Sequence, residues 1–156
     1  MNNIEALADF LIAAKVQTYA NAAAPKVASL RPGSLDYHWM DDDWAYHDTY
    51  FGGTKFIGTE VAYYRGVPVW GMNYYGTPIV DGVSEAAIDS ALMPALMLVG
   101  RDPGLIPVRG PREFENNGWR YTFEADGDLT RFTGDEKISG PGGAVYHLHC
   151  HGGLIA

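Results

Sequence analysis

The chain has 156 residues, with 19 acidic and 11 basic side chains, a formal charge of -8, 47% hydrophobic content and 13% aromatic content. That length and apolar share suit one domain with its own core and exclude intrinsic disorder. No stretch is long and apolar enough to span a membrane, and an acidic chain poor in lysine is a weak counterpart for a phosphate backbone, so neither membrane insertion nor nucleic-acid binding by this domain alone is expected.

The start, Met1-Asn2-Asn3-Ile4-Glu5, lacks the basic residues and apolar run of a signal peptide. The single cysteine, Cys150, allows no internal disulfide, so a cytoplasmic protein is expected. Ile4, Leu7, Ala8, Leu11 and Ala14 recur at helical spacing, with Asn2 or Asn3 as N-cap and Glu5 in the first turn. A Pro/Gly passage follows, Leu30-Arg31-Pro32-Gly33-Ser34, and then a short aromatic strand, Tyr37-His38-Trp39. Asp41-Asp42-Asp43 reads as a solvated turn. Residues 44–51, 58–65 and 67–75 read as strands, bounded by Gly52-Gly53 and Arg65-Gly66.

The second half repeats this order. Ser84 and Glu85 cap a helix carrying Ile88, Ala91, Leu92 and Ala95 on one face, which Pro94 is expected to end or kink. Val108-Arg109-Gly110-Pro111 and Phe114 precede strands at 119–126, 131–138 and 144–151. The two halves also align residue by residue with a single insertion. Trp44, Tyr46 and Gly52 fall on Trp119, Tyr121 and Gly127; Thr54, Phe56, Gly58 and Glu60 fall on Thr130, Phe132, Gly134 and Glu136; Gly66, Val69, Gly76 and Ile79 fall on Gly142, Val145, Gly152 and Ile155. The expectation is an α+β fold in which two tandem helix-plus-antiparallel-strand repeats, 1–80 and 81–156, form one pseudo-two-fold domain spanning residues 1–156, with the helices on one side.

Strand alternation then separates two faces. Trp70, Met72 and Tyr74 share one side, as do Tyr146, Leu148 and Cys150, and this apolar set is the expected core face, with Cys150 a small buried hydrophobe. A cleft near the symmetry axis would then be lined by Asn73, Tyr75, His149 and His151, with Glu60 and Glu136 as its equivalent carboxylates. The structural alternative pairs each Glu with the Lys55 or Arg131 of its own copy.

The terminal string His147-Leu148-His149-Cys150-His151 puts alternate imidazoles on one face. Neighbours in that set stand about 7 Å apart at Cα and the outer two about 13 Å, so one ion takes one adjacent pair. His149 and His151 are the metal candidates, for a divalent ion such as zinc, with the third ligand drawn from His47, Asp48, Asp36, Glu60 or Glu136.

The stretches Arg31-Pro32-Gly33-Ser34, Tyr50-Phe51-Gly52-Gly53, Val69-Trp70-Gly71-Met72-Asn73-Tyr74-Tyr75-Gly76, and Tyr146 with His151-Gly152-Gly153 resemble an uncharacterised bacterial domain-of-unknown-function family over nearly the whole chain. The resemblance implies an association with helix-turn-helix regulators, although this chain carries no such motif itself. The leading expectation is therefore a small-molecule-binding or sensor-type domain without a cofactor. Its pocket at the repeat interface would be aromatic and histidine-lined, with Asn73, Tyr75, Tyr50, Arg31 and His149 as ligand-binding residues. The rival is a hydrolase or lyase with His151 as general base and Glu136 or Glu60 as partner, optionally assisted by a metal on His149 and His151. A third reading, an interaction module, predicts an exposed apolar patch and a homodimer.

Overall fold

A computed structural model describes residues 3–155. The first helix, α1 (Ile4–Gln17), starts at Asn3, whose side chain accepts hydrogen bonds from the backbone N–H groups of Glu5 and Ala6. Those are two of the donors that a helix start leaves unpaired. Asn2, the alternative cap, lies outside the described residues. The second helix, α2 (Glu85–Leu96), is capped by Ser84, which accepts from Ala87 N. Pro94 lies within it, in the last turn, two residues before its end. Its missing N–H frees the carbonyl of Ser90, and the amide of Asn116 donates to that oxygen at 2.7 Å instead.

Eight strands follow the expected order: β1 (Leu35–Asp41), β2 (Trp44–Gly52), β3 (Phe56–Tyr64), β4 (Val67–Pro78), β5 (Glu113–Asn116), β6 (Trp119–Asp128), β7 (Arg131–Gly140) and β8 (Gly143–Leu154). They form one antiparallel sheet in the order β1-β2-β3-β4-β8-β7-β6-β5, an α+β architecture. The last strand of each half lies in the middle, where β4 and β8 pair from Trp70 opposite Leu154 to Pro78 opposite Tyr146. Both strands run beyond their expected ends, because each gains a partner on both sides.

Both helices cover the same face. Leu7, Phe10, Leu11 and Ala14 of α1 and Ile88, Ala91, Leu92 and Ala95 of α2 join one core with Tyr46, Trp70, Met72, Phe123, Ile138, Tyr146 and Leu148 of the sheet. Phe10 stacks on Trp39 and Trp44, with ring centroids 5.5 and 5.1 Å apart, which fixes α1 over β1 and β2. The indole N–H of Trp70 donates to the Leu129 carbonyl at 3.1 Å, so that its burial leaves no unpaired donor. Cys150 is buried in this core, and burial pushes its thiol up to about 12. On the other face Asn73, Tyr75, His149 and His151 are exposed. Among the described residues no helix is long and apolar enough to cross a membrane.

Candidate functional site

The core beneath the helices contains charge. On α1, Leu7, Leu11 and Lys15 follow one another at intervals of four, so the apolar stripe carries the Lys15 ammonium into the interior, where it is fully buried. On β3, Gly58, Glu60 and Ala62 share the core face, and register sets Glu60 opposite Met72 of β4. Lys15 Nζ and Glu60 Oε2 meet there as a buried ion pair. Burial lowers the Lys15 pKa, with the Glu60 charge acting in the opposite direction.

A second pair lies in the other half of the sheet. Arg109 holds Glu136 bidentately, Nε to Oε2 and Nη2 to Oε1, both at 2.8 Å. The Tyr121 hydroxyl donates to Glu136 Oε2 at 2.6 Å and accepts from Gly110 N at 2.9 Å. Tyr19 joins the two pairs. Lys15 Nζ lies 5.3 Å and Arg109 Cζ 5.5 Å from the centre of its ring.

Asp48 is the odd member. It follows Trp44 and Tyr46 on the core face of β2, faces Glu60 across the strand pair, and is 1% exposed. The Tyr74 hydroxyl donates to its Oδ1 at 2.7 Å. No cation forms an ion pair with it among the described residues, and burial followed by the Glu60 charge pushes its carboxyl up to about 8. Glu60 Oε1 and the hydroxyls of Tyr46 and Tyr146 are buried without a hydrogen-bond partner among the described residues.

Asp48, Tyr74 and Arg109 form the inner wall of a cavity of about 440 Å³ between α2 and the β1–β4 half of the sheet. Tyr19, Tyr37, Tyr50 and Phe56 supply its aromatic sides. Glu85 and Asp89 of α2 stand at its mouth with Lys26, whose ammonium lies 5.4 Å above the Tyr37 ring. A partly polar, aromatic-walled concavity of this size is the usual shape of a small-molecule site.

The expected cleft residues divide between the two faces. Arg31, Asn73, Tyr75, His149 and His151 do gather, around an open concavity of about 370 Å³ on the face without helices, where Arg31 Cζ lies 5.3 Å above the Phe51 ring. Tyr50 is not with them; it lies in the cavity under the helices. Glu60 and Glu136 are likewise on the core face, with the sheet between them and His151, so the structure does not assemble a His151–Glu acid-base pair. Nor do Lys55 and Arg131 hold the two Glu residues; Lys15 and Arg109 do. His151 stands opposite Asn73 and Thr133, while His149 turns toward Asp135 and His147, so the adjacent histidine pair is 147/149 rather than 149/151.

Of the proposed third ligands, Asp36 is already occupied. It accepts from Ser34 Oγ and Thr49 Oγ1 at 2.5 Å each, and His47 Nε2 lies 2.9 Å from its Oδ1. Burial alone would raise its carboxyl, but these hydrogen bonds together outweigh it and hold the value down at about 2.

A family described as a domain of unknown function, DUF5680, matches residues 48–155. The chain belongs to that family. No curated protein and no solved structure matches it. The DUF5680 span begins at Asp48 and includes Glu60, Tyr74, Arg109 and Glu136, whereas Lys15 and Tyr19 precede it. Lys15, Tyr19 and Arg109 are not among the expected site residues, and Asp48 is among them only as a third metal ligand. For two of them a signal existed: a lysine on the apolar stripe of α1, and an aspartate in the aromatic alternation Trp44, Tyr46, Asp48, Tyr50.

Proposed function

We propose that the chain is a small-molecule-binding domain of the sensor type, whose ligand is a small organic cation, an amine carried on an apolar or aromatic body, seated in the cavity between α2 and the sheet. One observation carries the reading. Among the described residues, the ionisable groups buried beneath the helices are three carboxyls, Asp48, Glu60 and Glu136, against two basic groups, Lys15 and Arg109. The unmatched carboxylate, Asp48, is the one that lines the cavity. A bound ammonium is the counterion that lets Asp48 ionise, and the tyrosine rings around it add cation–π attraction. The mouth repeats the imbalance, with Glu85 and Asp89 against Lys26. The cavity draws on both halves, 1–80 and 81–156, as a pocket at the interface of two pseudo-two-fold repeats does. The equivalent positions Glu60 and Glu136 each holding a cation from their own half fit the same duplication.

The test is calorimetric titration and thermal unfolding with a panel of aromatic and aliphatic amines beside their neutral isosteres. Amines are expected to raise the melting temperature and isosteres not to. Near pH 6.5, binding is expected to release about one proton, because the ammonium draws Asp48 into its ionised form. Asp48→Asn is expected to abolish the preference for amines. Isosteres that bind as tightly as amines, or an Asp48→Asn variant that binds amines like the wild type, overturn the reading.

A further inference from the structure

We infer that the opposite face of the sheet carries a separate site for a divalent transition-metal ion of the zinc type, formed by Asp135, His147 and His149. Strand alternation brings His147 and His149 out side by side from β8, with ring centroids 4.0 Å apart. Antiparallel register places Asp135 of β7 directly opposite His149. His147 Nε2 and His149 Nδ1 then converge on a single oxygen, Asp135 Oδ1, at 3.0 and 2.8 Å. One donor atom from each of the three residues lies within 4.8 Å of the others.

Two ring nitrogens within 3.0 Å of one carboxylate oxygen supply three corners of a ligand set. Around tetrahedral zinc, with nitrogen and oxygen ligands at about 2.0–2.1 Å, neighbouring donors stand about 3.3 Å apart. The two nitrogen–oxygen separations, 3.0 and 2.8 Å, therefore need to open by only a few tenths of an ångström to admit the ion. Two imidazoles and one carboxylate suit zinc, copper, nickel or cobalt, whereas calcium and magnesium take oxygen ligands. The side chains are 24% (His147), 47% (Asp135) and 66% (His149) exposed, so the remaining coordination position is open to water. Glu124 stands opposite Asp135 on the outer side and Lys137 opposite His147, so the surrounding charge is balanced rather than repelling. None of these residues lines the amine cavity, and the two sites stand or fall independently.

The experiment uses the full chain without a histidine tag. Cobalt(II) binding is followed by its visible absorption, and zinc binding by competition with a chromophoric chelator. Saturation at one equivalent is expected. Asp135→Asn and His147→Gln are each expected to weaken binding at least about tenfold, with His151→Gln binding like the wild type. All three positions are on the surface, and circular dichroism verifies that each variant is folded. The inference is overturned by the absence of saturable binding, or by a loss of binding in His151→Gln while His147→Gln retains it.

Discussion

Replacing Asp48 by Asn removes one ionisable group from the interior and keeps an oxygen to accept the Tyr74 hydroxyl, which now donates at 2.7 Å. In the folded protein the carboxyl keeps its proton up to about pH 8, against an ordinary value of 3.8. Between those limits the folded state binds one proton more than the unfolded chain, so stability falls as pH rises, by about 1.4 kcal/mol per pH unit. From pH 5 to pH 7 the wild type is therefore expected to lose about 3 kcal/mol that Asp48→Asn retains. Asp36 does not interfere. Its folded value of about 2 lies below the ordinary 3.8, so its contribution is complete above pH 3.8 and is lost only as pH falls toward 2. Urea unfolding at pH 5, 6 and 7, followed by tryptophan fluorescence, measures both slopes. Equal pH slopes in wild type and variant would refute the buried, protonated Asp48.

The Lys15–Glu60 pair gives a second prediction. Glu60→Gln leaves the Lys15 ammonium buried without its counterion and is expected to cost about 3–5 kcal/mol, while Lys15→Met combined with Glu60→Leu recovers most of that loss. A double variant no more stable in urea than the single one would show that the pair holds more of the core than its own charges. At Gly76, an added Cβ would stand 2.5 Å from Tyr146 Oη and 2.6 Å from Phe56 Cζ. Gly76→Ala is expected to destabilise by about 1–3 kcal/mol through overpacking, and an unchanged melting temperature would show that β4 and β8 move apart freely at that point.

The order of elements was legible because its signals are local. Asn3 and Ser84 cap helices with their own side chains, the glycines after β2 and β3 mark turns, and alternation in Trp44, Tyr46, Asp48, Tyr50 or Tyr146, Leu148, Cys150 identifies strands with one buried face. Membership of one face within a single strand was equally legible: Asn73 and Tyr75 share the outer face of β4, and His149 and His151 that of β8. The side of the sheet on which a residue of another strand lies was not, because it depends on register. Moving the partner by one position sends a whole strand's side chains to the opposite face, and the error that placed Glu60 and Glu136 beside His151 was of this kind.

Residue patterns alone determined two helix-then-strand halves, an apolar share sufficient for a core and the existence of an apolar and a polar sheet face. Tertiary structure decided the rest: that β4 pairs with β8, that Lys15 reaches Glu60 across 45 residues and Arg109 reaches Glu136 across 27, and that Asp48 is left as the unmatched carboxylate on the cavity wall. The physical reason is that backbone hydrogen bonding is the same for any strand partner, so periodicity specifies an element but not its neighbour. A buried charge takes its meaning from the groups that packing brings within a few ångströms of it.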